Sequence, residues 1–87
     1  MIRQRDLGND VAERKAAVHR LIRNKAITLG GNMPAKIYGT LSCGSGKKMK
    51  AENRVFFHNE AEAIAAGYRP CGHCLRAKYL KWKNALF

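Results

Sequence analysis

The side chains best suited to chemistry are the thiols of Cys71-Gly72-His73-Cys74, which follow directly on Arg69-Pro70. A turn of this span can bring two thiolates to one tetrahedral ion, at about 2.3 Å from zinc. Gly72 permits the tight backbone that such a knuckle needs. A redox reading of Cys-x-x-Cys expects a βαβ context, which the flanking residues lack. Cys43 is the third thiol, at the end of a predicted strand. Three cysteines cannot all pair within one chain, so metal chemistry is favoured over a disulfide framework, with Cys43, Cys71 and Cys74 as ligands of Zn2+. The fourth position is open to His58, to His73 inside the turn, to His19 on the first helix, to water or to no ligand.

A second group of residues is suited to holding phosphate. Gly44-Ser45-Gly46-Lys47-Lys48 resembles a nucleotide-binding loop only in outline. That motif needs glycine five residues before its Gly-Lys pair, where Leu41 stands, and Lys48 replaces the Ser or Thr that would hold magnesium. Nucleotide hydrolysis is therefore rejected. The loop can still offer amides and the charges of Lys47, Lys48 and Lys50 to a nucleic-acid backbone. Arg69, beside the knuckle, can clamp a phosphate or close a helix end. The whole chain supports this direction: 17 Lys and Arg against 6 Asp and Glu give +11 at pH 7, which calls for a polyanionic partner.

These groups must be positioned by a small body. Eighty-seven residues make one domain that buries only roughly 60% of its unfolded surface, so a staple is valuable. No apolar run approaches the roughly 20 residues of a membrane span. Met1-Ile2-Arg3-Gln4-Arg5-Asp6 has no apolar core of a secretory signal, so a cytoplasmic protein is expected.

Residues 1–8 read as a flexible N-terminus and 9–35 as a helix and its connection. Asp10 with Glu13 forms a helix start; Val11, Val18, Leu21 and Ile22 make the inward stripe, and Leu29-Gly30-Gly31-Asn32 the stop. Lys36–Ser42 and Arg54–Phe57 read as two strands of an antiparallel hairpin with a basic tip. Asn59 caps a short helix closed by Gly67, and a basic helix runs from Leu75 with Leu75, Tyr79 and Trp82 on one stripe.

Two stretches carry a resemblance: Asn53-Arg54-Val55-Phe56-Phe57, and Glu60-Ala61-Glu62-Ala63-Ile64-Ala65-Ala66-Gly67-Tyr68-Arg69-Pro70-Cys71-Gly72-His73-Cys74. Together they resemble the C-terminal half of the Ada-type zinc-binding domain, with its Asn-x-x-x-Phe strand, Ala-rich helix and Gly-aromatic-Arg-Pro-Cys-x-x-Cys knuckle. The likeness covers residues 36–76. In that family four cysteines bind zinc beside a small sheet, and one of them accepts a methyl group from a DNA methylphosphotriester. The resemblance implies Cys71, Cys74 and Cys43 as ligands, and a DNA-facing surface near Arg69 and the loop lysines. It also exposes a departure. The family's first two ligands are spaced Cys-x-x-x-Cys, whereas Gly39 and Lys47 flank Cys43 at that spacing. By its distance to Asn53, Cys43 matches the second, purely ligating cysteine more closely than the methyl acceptor.

The expected protein is thus α+β: a zinc-stapled domain with a β-hairpin or small antiparallel sheet flanked by helices, residues 36–87 forming the Ada-like part. Its expected role is binding rather than catalysis, docking on nucleic acid, DNA before RNA, through Lys47, Lys48, Lys50, Arg69 and the basic tail. The alternatives are a zinc-thiolate alkyl acceptor using Cys43, and a metal-stabilised adaptor for an acidic protein partner. No membrane partner is expected.

Overall fold

The computed structural model describes residues 1–42, 50 and 52–85. In chain order these form β1 (Ile2–Arg3), a 3-10 turn (Gln4–Leu7), α1 (Val11–Arg23), β2 (Leu29–Asn32), β3 (Ile37–Thr40), β4 (Arg54–Phe57), α2 (Glu60–Ala65), β5 (Arg69–Pro70) and α3 (Arg76–Ala85). The architecture is α+β, as expected. Among the described residues the strands make one sheet in the order β1-β4-β2-β3-β5, antiparallel throughout except for the parallel pair β3 and β5.

The helix starts follow the sequence. The Asp10 carboxylate accepts the Glu13 amide at 2.8 Å, and Glu13 reaches back to the Asn9 amide at 2.8 Å. Asn59 accepts the Glu62 amide at 2.9 Å, and Gly67 closes α2 at φ 86°. The end of α1 differs from expectation. Asn24 is its C-cap and Lys25 takes the left-handed conformation (φ 58°) normally given to glycine, with the Ala26 amide returning to Leu21 O and that of Lys25 to Ile22 O.

Gly30 and Gly31 are therefore no helix stop. They lie in the central strand β2, between β3 and β4, so the predicted hairpin of β3 with β4 is replaced by two pairings through β2. Crowding explains the glycine at 31: a Cβ there would stand 2.9 Å from the Phe57 ring and 3.1 Å from Val55 Cγ2. The first residues also depart from the expected frayed end. Ile2 and Arg3 pair with Phe56 and Val55, and the Met1 amine forms an ion pair with Glu62.

The sheet has two packed faces. Residues directly opposed in antiparallel strands share a face. Tyr38, Gly31 and Val55 make a row beneath α2, in a core with Phe57, Ala63 and Tyr68, where the Phe57 and Tyr68 rings meet edge to face at 4.9 Å. Gly39, Gly30 and Phe56 make the next row on the opposite face, whose core joins Phe56 to Ile27 and to Val18 of α1. Of the predicted α1 stripe, Val18 and Leu21 pack there, whereas Val11 and Ile22 stay exposed. No helix among the described residues is long and apolar enough to cross a membrane.

Candidate metal centre and the cationic face beside it

The knuckle is held against the sheet by backbone bonds. The Arg69 amide donates to Lys36 O and the Cys71 amide to Tyr38 O, both at 2.8 Å, so β5 delivers the first thiol beside β3. The Leu75 amide then bonds back to Cys71 O at 3.0 Å and α3 begins one residue later. Both sulfurs accept backbone amides. Thr40 N–H donates to Cys74 Sγ at 3.3 Å, and His73 N–H to Cys71 Sγ at 3.4 Å. Both cysteines lie against Gly39. A Cβ built there would lie 2.7 Å from Cys74 Sγ, 3.2 Å from Cys71 Cβ and 4.0 Å from Cys71 Sγ.

Two half-buried thiols beside Gly39, each accepting a backbone amide, are a donor set suited to a soft divalent ion such as zinc. Cys43 lies outside the described residues; it follows Thr40 by three positions in the chain. Among the described residues no group of three His, Cys, Asp or Glu side chains gathers to hold an ion, so none of the candidate histidines completes the pair. The reasons are local. His58 Nδ1 donates to Ala26 O at 3.0 Å, at the end of β4, which β2 separates from β3. His19 is exposed on α1, and the exposed His73 offers the sulfur its backbone amide.

Beside the knuckle lies a cationic face. Lys47 and Lys48 lie outside the described residues; Lys50 is exposed, and its carbonyl accepts the amides of Asn53 and Arg54 where the chain enters β4. Arg69 packs its guanidinium 5.3 Å from the Tyr79 ring centre and 5.5 Å from that of Trp82, and these two rings stack at 6.0 Å. An open hollow of about 720 Å³ runs alongside, with Lys36, Tyr68, Arg69, Lys78, Lys81 and Trp82 in its lining. The pattern of positive residues along α3, which carries Arg76, Lys78, Lys81 and Lys83 and no acid, was visible in the sequence. Lys36 was not. It joins this face because β3 and β5 run parallel, a long-range pairing that no local residue pattern announces.

Glu60 ties the face to the core. Its carboxylate pairs with Lys78 and accepts the Tyr38 hydroxyl at 3.0 Å. The bond from Lys78, assisted by that from Tyr38, holds the Glu60 carboxyl below its usual range. Burial, with the neighbouring carboxylate adding to it, pushes the Tyr38 hydroxyl up to about 12. A depressed carboxyl stabilises the fold at pH values above its ordinary range, and that contribution vanishes as pH falls through the lowered folded value. Glu60→Gln should therefore lower Tm at pH 7 by roughly 2–4 °C, a small effect because the pair is solvent-exposed. The difference from the unsubstituted chain should close in acid, once the pH has fallen through the lowered folded value of Glu60. Thermal melts at pH 7 and in acid check this; a gap that persists in acid contradicts the ionic origin.

A small α+β domain that sets two cysteines on a sheet edge, next to a basic helix, defines a metal-binding module. The family model described as the metal binding domain of Ada matches residues 13–76, and the chain belongs to that family. The match begins within α1 and so takes in β2, the strand that replaces the predicted hairpin. No curated protein and no solved structure is a significant match.

Proposed function

We propose that the chain is a zinc-stapled module that docks on nucleic acid, with DNA the preferred form. Cys43, Cys71 and Cys74 are its metal ligands, and Arg69, Lys47, Lys48 and Lys50 its phosphate contacts, joined by Lys36 and Lys81. The observation that carries the docking is the Arg69–Tyr79–Trp82 stack at the edge of a hollow lined by lysines. A cation held over aromatic faces is preorganised, so less side-chain freedom is lost when a phosphate arrives. Membership in a metal-binding family of a DNA-repair protein supports the zinc and the choice of DNA. A reducing, cytoplasmic setting suits thiols that serve as ligands.

Binding rather than alkyl transfer is the proposed role, because the distance along the sequence from Cys43 to Asn53 matches the family's purely ligating cysteine more closely than its methyl acceptor. The test measures affinity for duplex DNA between about 50 and 200 mM salt, where each neutralised phosphate adds about −0.9 to the slope of log K against log salt. A slope of roughly −3 to −5 is expected, with protein mass unchanged after incubation with DNA carrying methylated phosphates. A flat salt response overturns the docking, and a stoichiometric gain of one methyl on Cys43 replaces it with the acceptor chemistry.

A further inference from the structure

Two of the exposed large apolar side chains line the same hollow. Ile64 of α2 is 57% exposed and Trp82 of α3 is 37% exposed, and the Tyr68 ring and Pro70 continue the wall between them. Lys36, Arg69 and Lys81 share this lining, and the Lys36 ammonium lies 5.4 Å from the Tyr68 ring centre. A phosphate gains from the cations and nothing from the isoleucine, the proline or the rings. At about 720 Å³ the hollow has the size of a small-molecule site, with apolar walls and a few charged groups among them. A contact made by charge alone needs no such concavity.

The ligand that fits is anionic at one end and flat and apolar at the other. A nucleotide answers both demands, its phosphates to the cations and its base to the walls. It does so only when the base is free, because in a paired duplex both faces are covered by neighbouring bases. Stacking on aromatic side chains is the way sequence-tolerant single-strand binders hold such bases. We infer that the hollow receives an unpaired nucleobase, stacked on Trp82 and walled by Ile64, while Lys36 and Lys81 take the flanking phosphates. Trp82 is already packed against Tyr79 and Arg69, so little freedom is lost when a base arrives. This rests on the docking reading above and deepens it, since the preferred target becomes an unpaired position in the strand and not the continuous duplex.

A duplex carrying one unpaired thymidine and the same duplex with an abasic site at that position have equal phosphate charge and differ only in the base. The full chain should bind the first about tenfold tighter than the second, with equal salt slopes. Trp82 is the chain's single tryptophan, so its fluorescence reports the contact directly. The base-bearing duplex should quench it at saturation, and the abasic one should leave it nearly unchanged. Ile64→Ala changes an exposed helix position that the fold tolerates, and it should cut the affinity ratio about threefold or more while abasic binding stays as it was. Equal affinities for the two duplexes, each still salt-dependent, overturn the base site and leave the docking intact; this measurement needs no variant to fold. A tenfold ratio that survives Ile64→Ala, or that comes without quenching, places the base elsewhere and overturns the site as well. Binding to both duplexes that is absent or indifferent to salt overturns the docking and this inference together.

Discussion

Replacing Cys71 by serine is expected to remove bound metal and lower the melting temperature in one step. The two effects are coupled because the knuckle does not exist as a site in the unfolded chain, so the binding free energy is also folding free energy. Structural zinc in small domains is worth roughly 10–16 kcal/mol in apparent terms, and a chain of this size has little else to draw on. Losing even about 3 kcal/mol of that should lower Tm by roughly 12–24 °C. Burial alone does not predict such a fall. Cys71 is half-buried, and serine differs from it by one atom, so packing accounts for a minor loss. A chelator added to the unsubstituted chain should reproduce the drop, and should do nothing further to Cys71→Ser. Melting curves with and without chelator, paired with elemental analysis of zinc, check this. Equal Tm values for the two proteins would mean that the core under Tyr38, Phe56 and Phe57 stands without the staple.

The helix ends and the turn at Cys71 were more legible in the sequence than the sheet that carries them. Asp10, Glu13, Asn59 and Gly67 announce helix ends because capping is a local transaction between a side chain and an amide a few residues away. The knuckle is local in the same sense. Strand β2 is not, since glycine has little preference for strands and the residues that demand glycine at 31 are Phe57, Val55 and Ile37, distant in the chain or across the sheet. Without β2 in view, β3 and β4 look like neighbours, and the eleven-residue connection between the predicted strands passes for a hairpin loop. The stop of α1 was concealed for the opposite reason. Lys25 adopts the left-handed cap with no glycine to mark it, which moves the apparent stop onward to Gly30 and Gly31. Lys36 reaches the cationic face only through the parallel pairing with β5, and the crowding at Gly39 appears only once the knuckle is folded against β3.

Replacing Lys36 and Lys81 together by alanine should weaken DNA binding about tenfold or more at low salt and reduce the magnitude of the salt slope by about two. These two are chosen over Lys78, whose charge is already paired with Glu60, so that removing it mainly disturbs the fold. Arg69 and Trp82 are expected to act as a unit. Trp82→Ala leaves every positive charge in place but removes one of the two rings that hold the guanidinium, so affinity should fall while the salt slope stays nearly constant. Glu60→Gln makes the opposite change. It releases Lys78 from its partner and removes the one carboxylate that lines the hollow among the described residues, so DNA affinity should rise even as the domain loses stability. That opposition is the discriminating feature: a general loss of structure would weaken binding in all of these variants, whereas an electrostatic surface gives effects of both signs. The triple change of Lys47, Lys48 and Lys50 to alanine measures the loop in the same assay. Were that change to abolish the salt dependence while the Lys36 and Lys81 pair left it untouched, the contact surface would belong to the loop, and the hollow beside α3 would have no part in holding DNA.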